Sequence, residues 1–197
     1  MEIQKNQKVL AMLRAVWELN DEGYDVGSMK VADITARAGI GKGTAYEYFR
    51  SKEEIISGAL EYDYFVQNQS LSNRLEEQES FRGALETCFY WMGENVGRKR
   101  FAAQFFQKPP HERKKEKKKK ENDDSCMNEI YLMKMIVALG KKDGSIRADV
   151  TEEMAMIQVA AQLFGYFMFQ EHSGTHNQEE IDAMKRFLCD NIVKSLK

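Results

Sequence analysis

Proline is almost missing from this sequence. Only Pro109 and Pro110 occur in 197 residues, side by side, so ring geometry breaks no helix anywhere else in the chain. Cysteine is scarce as well. Cys88, Cys126 and Cys189 are odd in number and widely spaced, which excludes a disulfide framework or a zinc cluster and fits free thiols in a reducing cytoplasm. Long apolar runs are lacking: the longest, residues 159–169, is interrupted by Gln162 and falls far short of the roughly twenty residues of a membrane span. The opening MEIQKNQK has no apolar stretch after its first charges, so no secretory leader is expected. An excess of one charge is lacking too. With 29 basic and 31 acidic residues the net charge is −2, so any attraction to nucleic acid must come from a local patch. Alternating strand patterns and internal repeats are also absent.

What is present is helical spacing and 43% apolar residues, enough for a substantial core. Val9, Leu13, Val16 and Leu19 mark a first helix ending near Gly23. Gly27-Ser28 offers a turn and a possible N-cap for a short second helix carrying Val31, Ile34 and Ala38. A third runs over 42–49. Ser51 and Glu54 form a capping box for a fourth that reaches the low seventies. Others are expected over 80–96, 101–106, 130–140, 151–170 and 178–196. The fold class is therefore all-α with about nine helices. The lysine-rich run 113–120 lies in a stretch whose only apolar residues are the two prolines and is expected to be a solvated loop.

Function concentrates in residues 29–49. Ala38-Gly39-Ile40-Gly41 is a tight turn between two amphipathic helices of barely two turns each, the arrangement of a helix-turn-helix whose second helix enters the DNA major groove. At 100° per residue, Ala45 and Phe49 fall on one side and can pack on Val31, Ile34 and Ile40. Gly43, Thr44 and Glu47 fall on the other. Gly43 lets a DNA strand approach closely, Thr44 can touch a thymine methyl or donate a hydrogen bond, and Glu47 can accept from cytosine. The hydroxyls of Tyr46 and Tyr48 flank this face and can reach phosphates. Lys42 stands at the helix start, where dipole and charge both favour an anion, and Lys52 does the same on the next helix. From Lys30 to Lys52 there are five basic and two acidic residues. A phosphate-loop reading of Gly39-Ile-Gly-Lys-Gly-Thr44 fails, because Lys42 is followed by Gly43 and no strand precedes it.

The stretch VADITARAGIGKGTAYEYFRSKEE, residues 31–54, resembles the DNA-binding domain of TetR-type transcriptional regulators, and the resemblance extends over 8–65. The glycine-containing turn over 141–149 also resembles the one before that family's last two helices. The resemblance implies a DNA-binding domain over 1–52 and a ligand-binding and dimerisation domain over 53–197. It implies a dimeric, usually repressing regulator, not an enzyme, in which a small molecule shifts the separation of two DNA-reading heads. Carried over position by position, Lys42, Gly43, Thr44, Tyr46, Tyr48 and Lys52 are the DNA contacts. Gly41 stands where the family usually has a serine cap. Met29 and Lys30 replace the usual threonines, so Lys30 or Ser28 is left to supply the phosphate contact of that edge.

The second half is rich in aromatics and methionine. Most must be core, but the same residue types line pockets for apolar ligands, and Trp91, Phe105, Tyr131, Met135 and Phe164 are the candidates. Ile157, Ala161 and Met168 on the penultimate helix, with Ile181, Met184 and Leu188 on the last, are candidates for a four-helix dimer interface. Expected partners are therefore a double-stranded DNA operator, a mostly apolar small-molecule effector and a second copy of the chain, with no membrane, cofactor or metal. His172 and His176 are four apart, but Ser173-Gly174 between them reads as a helix end and argues against a metal pair. The competing reading is a helical small-molecule-binding or catalytic protein whose helix-turn-helix is incidental.

Overall fold

The computed structural model describes residues 6–95, 97, 98, 100, 101, 124–171 and 176–197. They form eight helices and no strand: α1 (Gln7–Asp21), α2 (Val31–Arg37), α3 (Lys42–Tyr48), α4 (Lys52–Glu76), α5 (Phe81–Glu94), α6 (Asp124–Lys142), α7 (Glu152–Glu171) and α8 (Gln178–Leu196). The expected all-α class is therefore observed. Residues 97, 98, 100 and 101 are also helical. Apart from Phe101, the expected helix 101–106 lies outside the described residues, as do the run 113–120, Phe105 and His172. Among the described residues no helix is long and apolar enough to cross a membrane.

Two starts differ from expectation. Ser28 does not cap α2, whose N-cap is Lys30. The Ser28 hydroxyl instead accepts from the Asp25 N–H at 3.0 Å and donates to the Asp25 carbonyl, while the Asp25 carboxylate accepts from the Ser28 N–H at 2.7 Å. This closes the loop before α2, and Asp33 supplies the capping carboxylate, 3.0 Å from the Lys30 N–H. Helix α6 starts at Asp124 rather than 130. Its first turns read DSCMNE, too polar to carry the apolar period.

The described residues fall into two compact units, one within Met1–Val66 and Arg98–Glu121, the other within Gln67–Gly97 and Asn122–Lys197. The first is built on Met12, Leu13, Val16, Trp17, Met29, Ile34, Ala45, Ile55, Ile56 and Ala59, all buried. Ile55, Ile56 and Ala59 from the start of α4 complete this core, and the two units meet in sequence inside α4, between Val66 and Gln67. Trp17 ties the unit together. Its indole N–H donates to the Ala59 carbonyl at 3.2 Å, Phe101 packs against it at 5.2 Å, and the Arg98 guanidinium sits 4.8 Å over the ring while pairing with Asp63.

The second unit packs α5, α6, α7 and α8 around Phe81, Leu85, Phe89, Ile136, Val159, Tyr166 and Ile192. Tyr166 is fully buried and meets Phe89 edge-on at 5.3 Å. Burial pushes its phenol up. Asp143 fixes the start of α5, accepting from the Phe81 N–H at 2.7 Å and the Ser145 N–H at 2.9 Å. Burial raises its carboxyl, but those backbone donors outweigh it and hold the group below its ordinary value. Gly140 is the tightest point. A Cβ there would lie 2.6 Å from Ile146 Cδ1 and 3.0 Å from Phe81. Gly140→Ala is expected to destabilise this unit by about 1–3 kcal/mol through overpacking, with coupling to Ile146→Ala in a double-mutant cycle. Additive effects in urea unfolding would show that the site relaxes freely.

Candidate nucleic-acid interface

Helices α2 and α3 meet through a turn that backbone geometry dictates. Gly39 has φ +66°, a conformation that favours glycine, and its N–H closes on the Ala36 carbonyl at 3.2 Å. The Ile40 N–H then returns to the Thr35 carbonyl at 2.9 Å. Gly41, extended at φ −66° and ψ 141°, is the N-cap of α3. Ala45 and Phe49 bury in the first core, with Val31 and Ile40 packed against it, as the helical wheel predicts. Burial of that side leaves Lys42, Gly43, Tyr46 and Glu47 exposed, and Tyr46 keeps 51% of its surface. Tyr48 is exposed on the flank, one turn after the half-buried Thr44.

The remaining cations are deployed unevenly. Lys30 is exposed at the start of α2. Arg37, which counts towards the local positive charge of the sequence, is taken up by Glu22 at 2.6 Å and Glu18 at 3.6 Å. The Lys52 ammonium donates to the Val26 carbonyl at 3.0 Å, tying the loop before α2 to the start of α4. Lys52 is half-buried, so its reach to a phosphate competes with this internal bond. Ser28 is committed to its own loop, and Met29 is buried, which leaves Lys30 as the exposed group on that edge. Two residues outside the expected set stand beside α3. Gln7 and Lys8, from the first turn of α1, line a groove of about 390 Å³ with Gly39, Gly41 and Thr44. No sequence pattern links Lys8 to a turn thirty residues away; only the packing of α1 on α2 does.

In the second unit the described candidate ligand residues differ in exposure. Trp91 and Met135 are half-buried against the core, whereas Tyr131 and Phe164 are exposed by 54% and 64%. A groove of about 540 Å³ lies elsewhere, lined by Arg74, Glu86, Phe89, Tyr90, Lys185 and Cys189 among others. Cys189 packs in the core of this unit, and burial pushes its thiol up to about 11, which disfavours the thiolate. Of the dimer candidates, Ile157, Ala161 and Met168 are exposed, Ile181 and Met184 are half-buried, and Leu188 is buried in the chain's own core. Among the described residues no group of three His, Cys, Asp or Glu side chains is placed to hold a metal.

Comparison with known proteins agrees with this geometry. The family model described as bacterial regulatory proteins, tetR family, matches residues 14–59. No match was found among curated proteins. Among solved structures, the transcriptional regulator FadR from Bacillus subtilis in complex with stearoyl-CoA is similar with a TM-score of 0.64 at 13% identity, covering 97% of this chain and 98% of the other. A TetR/AcrR-family regulator from Thermobifida fusca YX-ER1 gives 0.67 at 16% identity over 94% and 98%. A TetR-family regulator from Marinobacter aquaeolei VT8 gives 0.57 at 18% over 96% and 97%. Residues 14–59 thus match the model of the tetR family of bacterial regulatory proteins, and the described helices share the fold of these solved regulators.

Proposed function

We propose that the protein is a dimeric transcriptional regulator that reads a DNA operator and is released from it by a small-molecule effector. The observation that carries this reading is α3. It buries Ala45 inward and presents Lys42, Gly43, Tyr46 and Glu47 outward from a short, rigid turn. Such a face matches the major groove. Thr44 and Glu47 contact bases beside Gly43, while Lys30, Lys42, Tyr46, Tyr48 and Lys52 hold phosphates and set the register. Residues 1–52, with the first turns of α4, form the DNA-binding head, and the rest binds the effector and the second copy. The effector is mostly apolar: the stearoyl-CoA seen with the Bacillus subtilis regulator is the kind of ligand that part-buried Trp91 and Met135 suit. Operator and effector weaken one another reciprocally, and the protein works in the cytoplasm as a repressor rather than an enzyme.

Selection from a random pool of duplexes of roughly 30 base pairs, long enough for two half-sites one helical turn apart, tests this. The expected result is a two-fold symmetric preferred sequence, bound at physiological salt about a thousandfold more tightly than scrambled DNA. Lys42→Ala and Tyr46→Ala should lose that binding while keeping the helical circular dichroism. Equal, salt-sensitive binding to both duplexes would leave only phosphate attraction and overturn the reading in favour of a helical ligand-binding protein.

A further inference from the structure

We propose that Lys8 and Gln7 of α1 hold a DNA phosphate in the groove beside the α2–α3 turn, making the start of α1 part of the DNA interface. The inference rests on the DNA-binding reading of α3 and extends it to another helix. The groove is formed by small residues, Ala11, Gly39 and Gly41, with Gln7, Lys8 and Thr44 on its walls, and none of its lining residues is acidic. Gly39 needs to be glycine for its positive φ. Gly41 does not: its φ of −66° suits any residue, and a Cβ there would meet nothing within 4 Å. A serine or aspartate at this N-cap would support α3 better than glycine does. The space is therefore left open at some cost to the helix, and among the described residues no side chain fills it.

Lys8 has no role in supporting α1 either. It stands in the first turn, where the helix dipole disfavours a cation, and that turn contains no acidic residue. The ammonium is exposed beside the one open wall that Thr44 shares with α3. A DNA strand brought in by α3 passes this wall, and a phosphate is the group on that strand whose charge and size fit a groove whose described lining carries a lysine and no carboxylate. Gly41 costs the head the hydroxyl that a serine cap would offer to the DNA backbone, and Lys8 supplies a charged contact in the same groove.

The test is fluorescence anisotropy of the full chain on the selected duplex and on a scrambled one, across a series of salt concentrations. Lys8→Gln should flatten the dependence of log affinity on log salt by about 0.9 for each head engaged. It should also weaken binding roughly two- to fivefold, equally on both duplexes, because a phosphate contact carries no sequence information. Lys8→Arg should retain both the slope and the affinity. The thermal midpoint of Lys8→Gln should hold or rise, since the helix loses an unfavourable charge. Unchanged slope and affinity in Lys8→Gln, with binding still lost in Tyr46→Ala, would overturn the role of α1 alone. Normal binding by Tyr46→Ala would overturn the DNA reading of α3, and this inference with it.

Discussion

Gly43→Ala is expected to make the head more stable and a worse DNA binder at once. Gly43 lies inside α3 with a negative φ, and a Cβ there would meet nothing within 4 Å. Neither packing nor backbone conformation asks for glycine. A glycine in an exposed helix costs about 0.5–1 kcal/mol relative to alanine, a large penalty for a helix of seven residues. The substitution should raise the head's unfolding free energy by about that amount. In the complex, the added methyl would occupy the space through which a DNA strand approaches, at an overpacking cost of about 1–3 kcal/mol. Since 1.4 kcal/mol is a tenfold change, operator affinity should fall by roughly tenfold or more. Thermal unfolding and anisotropy on one preparation read both effects. A stabilised variant with unchanged affinity would mean that DNA does not come close to α3 at this position.

The opposite signs of those two effects indicate which parts of this protein a sequence can reveal. Ala45, Phe49, Val31 and Ile40 were predictable because helical periodicity and core packing are the same constraint. Glycines 39 and 41 were visible as a turn and Gly43 as part of the open helix face, and the three identical letters carry three meanings. Gly39 answers a positive φ, Gly41 leaves a groove open and Gly43 leaves a face open. Sequence reasoning missed where charges are spent. Arg37 reads as one more cation of the head until Glu18 on α1 and Glu22 just beyond it are seen to engage it. Lys52 carries the expected position but a divided allegiance, with the Val26 carbonyl already on its ammonium. Lys8 gave no signal, because its neighbours at Gly41 and Thr44 come from tertiary packing. In the second unit the aromatic letters were legible as apolar and no further. Trp91 and Met135 lean on the core while Tyr131 and Phe164 face outward, a distinction that depends on which side of each helix the neighbouring helices cover.

If the chain forms the proposed dimer, replacing Ile157 and Phe164 together by aspartate is expected to leave a folded monomer. Helix α7 is apolar on two sides. Ala155, Val159, Leu163 and Tyr166 are buried in the chain's own core. Met154, Ile157, Ala161, Phe164 and Met168 recur at alternating spacings of three and four on another side and are all exposed, Ile157 by 69%. That spacing is the seam by which helices pack against helices, and a run of large apolar side chains facing water is characteristic of an interface. Phe187 adds a further exposed ring on α8. Aspartates at 157 and 164 would bury unpaired carboxylates at a dimer seam, a cost far above that of losing two apolar contacts. They leave the monomer's core untouched, so the helical signal and thermal transition should survive. Sedimentation should then report the 22.8 kDa chain rather than a pair. Binding to two linked half-sites should drop by about 10²–10⁴-fold, the advantage of holding the second head at high local concentration. Leu188→Asp is the contrasting substitution. Leu188 is buried in the chain's own core, so this change should unfold the second unit instead of merely parting two copies. A double variant that stays dimeric, or an unsubstituted chain that sediments as a monomer at micromolar concentration, would place the interface elsewhere and leave the apolar side of α7 to a different partner.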